Sequence, residues 1–211
     1  AKRYQIESFI VGANQSFHLP LGDIQAASVF VEGHFEKELI SAQATSFTAG
    51  SQGATIYVLM QKGTGQQVKR AAPGGEGLVM DHFSKAAFEK YRAEFVPLLK
   101  QGHAPLRALY NDSYEVYGAN YTPKLFEAFE QLNHYDLRKH LDVLAKKTAE
   151  SEDDNAIWAD YHRTISSLLL TEFTQPFAGW IKQMGFVSRN QAHGSPGNLL
   201  DLYAAVDIPE T

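Results

Sequence analysis

The first sixty residues alternate short apolar runs with turn formers. "YQIESFIVGA", "SFHLPL", "AASVFVEG" and "ATIYVLM" are rich in Val, Ile, Phe and Tyr, and Gly, Asn, Pro and Ser separate them. Runs of that length and composition predict β-strands, and helical periodicity is weak among them. From about residue 77 the style changes. "GLVMD" (Gly77–Asp81) is a short strand-like run. Ser84 then offers an N-cap to a helix whose buried side would be Phe88, Tyr91, Phe95 and Leu98, spaced by threes and fours. "LRALYND" is the next strand-like run. Thr122 follows as a predicted N-cap, with Pro123 at the first helical position, where its missing N–H costs nothing. Leu125, Phe126, Phe129 and Leu132 would be that helix's apolar side.

A second helix is predicted from Asp136 to Lys147, then a polar loop, "TAESEDDN", and a long helix from about Asn155 to Met184. Ile157, Tyr161, Ile165, Leu168 and Leu169 form its inner stripe, Pro176 should kink or split it, and Gly185 should end it. "FVSRNQ" reads as a strand, "NLLDLYAA" as a short helix and "VDIPET" as the start of another strand. Alternating strands and helices predict a mostly parallel sheet with helices outside. The expected division is a β-rich segment over residues 1–61 and an α/β region over 62–211. Four strands from Gly77 onward compare with eight in a (β/α)8 barrel of about 250 residues, so the region reads as a partial barrel or an open sheet. The last strand has no helix after it, which suggests a piece of a longer polypeptide.

Composition narrows the classes. The chain has 211 residues, 44% of them hydrophobic, enough for a sizeable core. Its net charge of −5 comes from interspersed acids and bases, so no basic stripe points to a nucleic-acid partner. No apolar run approaches the roughly 20 residues that span a bilayer, and no signal peptide opens the chain. Cysteine is absent, which excludes disulfide and thiolate chemistry. The eight histidines are scattered without H-E-x-x-H spacing, so nothing suggests zinc. "GTGQQVKR" has two glycines but lacks the arrangement of a phosphate-binding loop.

The densest chemistry lies in "RALYNDSYEVYGANYTP", Arg107 to Pro123. A solvated turn needs no tyrosines and a core needs no carboxylates, whereas a sugar site uses both. Glu115 falls just past an apolar strand, among Tyr110, Tyr114, Tyr117 and Tyr121. A carboxyl in partly apolar surroundings keeps its proton more readily and suits general acid work, while aromatic faces stack on the apolar side of a sugar ring. Glu210, at another strand end, is a second candidate. Two carboxylates roughly 6.5–9.5 Å apart would suit an inverting glycosidase. A solvated loop glutamate and a frayed terminal one are the plain alternatives. "SRNQAHGSPGN" could bring Asn190, Gln191 and His193 to a ligand, or form a capped turn.

Four blocks then resemble a known family: "GEGLVMDHFSKAAFEKY", "NDSYEVYGANYTPKLFEAFEQLNHYDLRKHL", "WADYHRTISSLLLTEFTQPF" and "QAHGSPGNLLDLYAAVDIPET". Their order, especially D-S-x-E followed by Y-T-P and Y-D-L, is similar to glycoside hydrolase family 106, the α-L-rhamnosidases and their relatives. The resemblance covers about Ala54 to Thr211. It implies part of a (β/α)8 catalytic barrel in a longer bacterial enzyme, secreted or periplasmic, that cleaves terminal α-L-rhamnose from glycans with inversion and calcium assistance. The general acid would be Glu115, and the general base Glu210 or the residue after Thr211. Asp112, Asn120 and His193 would touch sugar or metal, with Asp112 the calcium candidate. Tyr114, Tyr117 and Tyr121 would line the pocket. The rival expectation is a non-catalytic carbohydrate-binding or structural segment of a larger protein.

Overall fold

The four strand-like runs of the first sixty residues are strands in the computed structural model, which describes residues 1–39, 46–101 and 106–210. They are β1 (Lys2–Val11), β2 (Ser16–His18), β3 (Ile24–Val31) and, after two further strands, β6 (Ala54–Gly63). The unexpected pair are β4 (His34–Glu38) and β5 (Ser46–Thr48). β4 returns from β3 through Glu32 and Gly33, both at positive φ (50° and 81°), the backbone of a two-residue hairpin turn. Its sequence, HFEKE, hides the strand because β4 lies at the edge of a sheet ordered β1-β6-β3-β4, where charged side chains face solvent.

Antiparallel pairing of β3 with β6 sets Ala27 opposite Val58 and Val29 opposite Ile56, and all four are buried. Phe47 of β5, paired with Phe17 of β2, joins the same cluster. Ser28 faces the other way and donates its hydroxyl to the Arg138 carbonyl at 2.7 Å. Arg138 pairs with Asp136 at 3.0 Å and Glu38 at 3.6 Å, and lies over the Phe126 ring. The described chain divides into two compact units, and this one joins residues 3–62 to 123–161.

The helical part of this unit comprises α2 (Leu125–Asn133), a 3-10 turn (Leu137–His140) and α3 (Leu141–Lys146). Asp136 caps the turn by accepting from Arg138 N at 2.9 Å. α2 starts two residues later than Pro123, with Lys124 at its N-cap and no side-chain cap. The predicted capping residue, Thr122, gives its hydroxyl to the buried carboxylate of Asp81 instead, at 3.1 Å. α4 (Glu152–Leu169) follows, and its whole predicted stripe is buried.

The other unit holds residues 1–2, 63–122 and 162–211. Its sheet is three parallel strands in chain order, β7 (Ala108–Asn111), β8 (Val187–Asn190) and β9 (Ile208–Pro209). Among the described residues the sheet is open. "GLVMD" does not join it: Leu78 makes only an isolated antiparallel bridge to Gln67, so the four expected strands are three. α1 (Lys85–Gln101) is capped by Ser84, whose hydroxyl accepts from Ala87 N at 3.3 Å. Of its predicted face only Phe88 is buried. Tyr91, Phe95 and Leu98 are exposed, and Tyr91 borders the cavity described below.

Pro176 acts as expected, with a consequence upstream. A proline lacks the N–H for the preceding turn and crowds the carbonyl four residues back. The chain accommodates it with a π-turn over Leu170–Thr174, after which α5 (Gln175–Gln183) begins with the proline in its first turn. Gly185, at φ 82°, ends the run. α6 (Leu199–Ala204) is capped by Asn198, which accepts from Leu200 N at 3.0 Å. No helix among the described residues is long and apolar enough to cross a membrane.

Candidate active site

The carboxyl ends of the three parallel strands are tied together. Asn111 at the end of β7 accepts from Gln191 N at 3.0 Å, and its side chain donates to Asn190 Oδ1 at 2.7 Å. Asn190 in turn accepts from Glu210 N at 3.0 Å through its carbonyl. Beyond β7 the chain enters the tyrosine-rich loop. Asp112 Oδ1 fixes its first turn by accepting from Ser113 N at 2.8 Å and the Tyr110 hydroxyl at 3.2 Å. Tyr114 N then donates to the His193 carbonyl at 2.9 Å, which pins this loop to the one after β8. Gly194 permits that approach. Its φ is 79°, and a Cβ there would stand 3.0 Å from the Tyr114 carbonyl oxygen.

A cavity of about 540 Å³ opens beside this loop. Such a volume suits a small molecule or a sugar ring. Asp112, Tyr114 and Glu115 line one side, and Gln66 and Lys69 line another. His82, Phe88, Phe173 and Trp180 form its aromatic part. The His82 ring meets Tyr114 edge-on at 5.3 Å and Phe173 at 4.6 Å, and Phe173 meets Phe88 at 5.6 Å. Rings at these spacings and angles are favourable contacts that also stiffen the wall.

Glu115 is less sheltered than its apolar neighbours in sequence suggested. Its side chain is 49% exposed, and Oε2 pairs with Lys69 Nζ at 2.9 Å. Lys69 also lies over the Tyr117 ring, 4.9 Å from its centre, with the Tyr117 hydroxyl at 3.4 Å. The hydrogen bond to Glu115 raises the Lys69 pKa. Such an exposed pair is screened by water and salt, so its contribution is one of geometry more than stability.

Groups deeper in the wall are more perturbed. Burial lowers the His82 pKa to about 4, so the ring is neutral at pH 7. Burial pushes the Tyr114 hydroxyl well above the usual phenol range and raises Asp81, whose carboxylate accepts from Phe83 N at 3.0 Å and from Thr122. His82 Nδ1, the Tyr114 hydroxyl and Trp180 Nε1 are buried with no hydrogen-bond partner among the described residues.

The remaining predicted residues are scattered. Tyr117 is exposed beside the cavity under Lys69. Tyr121 is fully buried, a core ring rather than a sugar-facing one, and does not line the cavity. Asn120 donates its N–H to the Lys2 carbonyl at 3.1 Å, and His193 serves the loop through its backbone; neither lines the cavity. Glu210, at the end of β9, is ion-paired with Arg189 and is not among the lining residues. Thr211, the last residue of the expected terminal motif, lies outside the described residues. Among the described residues no three His, Asp or Glu side chains gather where they could share a metal. Calcium takes six to eight or so oxygens, and no second and third carboxylate join Asp112 among the described residues to supply them.

Sequence reasoning missed Gln66, Lys69 and His82. The first two sat in "GTGQQVKR", rejected as a phosphate loop, and the third just past "GLVMD", a run taken for a strand. A polar residue next to an apolar run was the available signal, but which loop it meets depends on tertiary contacts.

The family model described as alpha-L-rhamnosidase, glycoside hydrolase family 106, matches residues 46–210, and the chain belongs to that family. The chain is 30% identical over 162 residues to a Formosa agariphila protein named "Putative beta-glucuronidase", a stretch that is 72% of this chain and 14% of that one. In fold it is similar to the rhamnosidase of Novosphingobium sp. PP1Y, with a TM-score of 0.71 at 24% identity over 82% of this chain and 19% of that one. The chain thus spans less than a fifth of the length of either.

Proposed function

We propose that this chain is the acid-bearing arc of a (β/α)8 barrel in an inverting glycosidase that removes terminal α-L-rhamnose from glycans. The observation that carries the reading is the position of Glu115, on the wall of an aromatic cavity and just past the carboxyl end of a parallel strand. Active sites of barrels lie at that end because the βα-loops converge there. The chain-order pairing of β7, β8 and β9 supports the barrel assignment, since consecutive parallel neighbours are what a closed barrel uses.

In this reading the sugar stacks on Tyr114 and Tyr117 with Asp112 accepting from a hydroxyl. Lys69 holds Glu115 Oε2, which leaves Oε1 to carry the proton. That proton passes to the glycosidic oxygen as its bond to the anomeric carbon breaks. A water deprotonated by the base attacks the opposite face of the same carbon, giving the inverted sugar. That base is either Glu210, which to serve must part from Arg189, or the residue after Thr211.

The test uses the intact protein and two aryl α-L-rhamnosides, one with a poor leaving group and one so activated that it departs unprotonated. Glu115→Gln should lower kcat on the poor substrate by about a hundred- to ten-thousand-fold and spare the activated one. Unchanged turnover of the poor substrate would sink the assignment. The exposed, ion-paired state of Glu115 favours a second reading, a carbohydrate-binding segment without chemistry. Sugar binding by calorimetry with no turnover of any rhamnoside, or of a glucuronide assayed beside it, would establish that reading instead.

A further inference from the structure

The segment dismissed as a phosphate loop grips the loop that carries Glu115. Gln66 Nε2 donates to the Glu115 carbonyl, and Gln66 Oε1 accepts from Tyr117 N at 2.7 Å. The amide orientation is dictated by its partners, because a carbonyl can only accept and a backbone N–H can only donate. One side chain therefore closes a ring of hydrogen bonds around Glu115, Val116 and Tyr117. Its own backbone is also fixed. Gln66 N donates to Thr64 Oγ1 at 3.3 Å, and Gln66 O accepts from Val79 N at 2.9 Å. Val68 N to Gly77 O, at 2.9 Å, completes that short bridge.

The loop needs such a brace. Between Tyr114 and Tyr117 its backbone has no ladder partner, and Gly118 follows at φ 69°. Lys69, three residues along the same segment, touches the Glu115 carboxylate and the Tyr117 ring. Gln66 thus fixes the main chain of the acid loop and Lys69 its side chains.

We propose that Gln66 is a positioning residue for the general acid. The inference rests on the reading of Glu115 as the proton donor. Both polar atoms of the Gln66 side chain are engaged by the loop backbone, so its effect on the reaction runs through Glu115. Its amide sets the direction from which the Glu115 carboxyl meets the glycosidic oxygen, and an ångström of misplacement is costly in proton transfer. A brace of this kind matters only when the leaving group needs a proton, which separates it from a merely structural contact.

Gln66→Ala removes both hydrogen bonds. Gln66→Glu keeps the shape and the acceptor for Tyr117 N but turns a carboxylate oxygen toward the Glu115 carbonyl. Both variants are assayed in the intact protein on poor and activated aryl rhamnosides, with Glu115→Gln in parallel and melting temperatures recorded. The expected result is a loss of about tenfold or more in kcat on the poor substrate with little change on the activated one, at unchanged melting temperature. Equal losses on both substrates, or none on either, would overturn the inference while a leaving-group-dependent Glu115→Gln left the acid assignment standing. If Glu115→Gln itself shows no leaving-group dependence, the acid assignment falls and takes this inference with it.

Discussion

His82 gives a prediction whose size follows from its surroundings. The ring packs against Tyr114 and Phe173, and burial lowers its pKa from the ordinary 6.5 to about 4. Between those values the unfolded chain takes up a proton that the folded chain refuses. Stability present at neutral pH is therefore lost as the pH falls from about 6.5 to about 4. At 1.36 kcal/mol per pKa unit, a difference of about 2.5 units corresponds to roughly 3 kcal/mol. Asp81, next in sequence, works the other way: burial raises its pKa, so folding gains stability as the pH falls through its folded value. His82→Phe keeps the edge-on ring contacts and leaves Asp81 in place, so comparing the two proteins isolates the imidazole. The chain has two tryptophans, and Trp158→Phe leaves Trp180 of the cavity wall as the reporter. Urea titrations followed by Trp180 fluorescence at several pH values from 7 to 4 are the assay. The protein with His82 should lose about 3 kcal/mol more than the His82→Phe protein over that range. Parallel pH dependence in the two would refute the reasoning. A ring proton titrating near pH 6.5 by NMR would do the same.

Two further outcomes follow from packing. Phe88→Ala should destabilise the unit by about 3–5 kcal/mol in the same urea assay, because the ring is buried between Phe173 and Trp180 and its loss leaves a cavity. Gly194→Ala should cost about 1–2 kcal/mol for its left-handed backbone. On the proposed reading of Glu115 as the acid it should also weaken turnover, since the new methyl presses on the Tyr114 carbonyl and shifts the loop that carries Glu115.

The elements that pattern alone revealed share one property: their signals are local. The stripe Ile157, Tyr161, Ile165, Leu168 and Leu169 is buried along α4 as its spacing implied. Ser84 caps its helix as expected, through a backbone N–H three residues away. Pro176 broke the long helix for reasons contained in its own ring. Glu115 was legible for a related reason, since a carboxylate just past an apolar run must emerge at a strand end.

What the pattern missed depends on partners distant in sequence. Leu78 looked like a strand residue but met Gln67 rather than β7, and a strand exists only where a ladder forms. Thr122 looked like a cap until Asp81, 41 residues earlier, claimed its hydroxyl. Tyr121 and Tyr117 read alike in sequence, yet one is fully buried and the other 62% exposed. Local sequence determined which segments fold and that the tyrosine loop carries an acid. Tertiary contacts decided that Lys69 faces that acid, that Gln66 braces its backbone and that His82 stays neutral in the wall. A helix cap is settled by bonds within one turn of chain, whereas a charge's surroundings are settled by whichever loops converge on it.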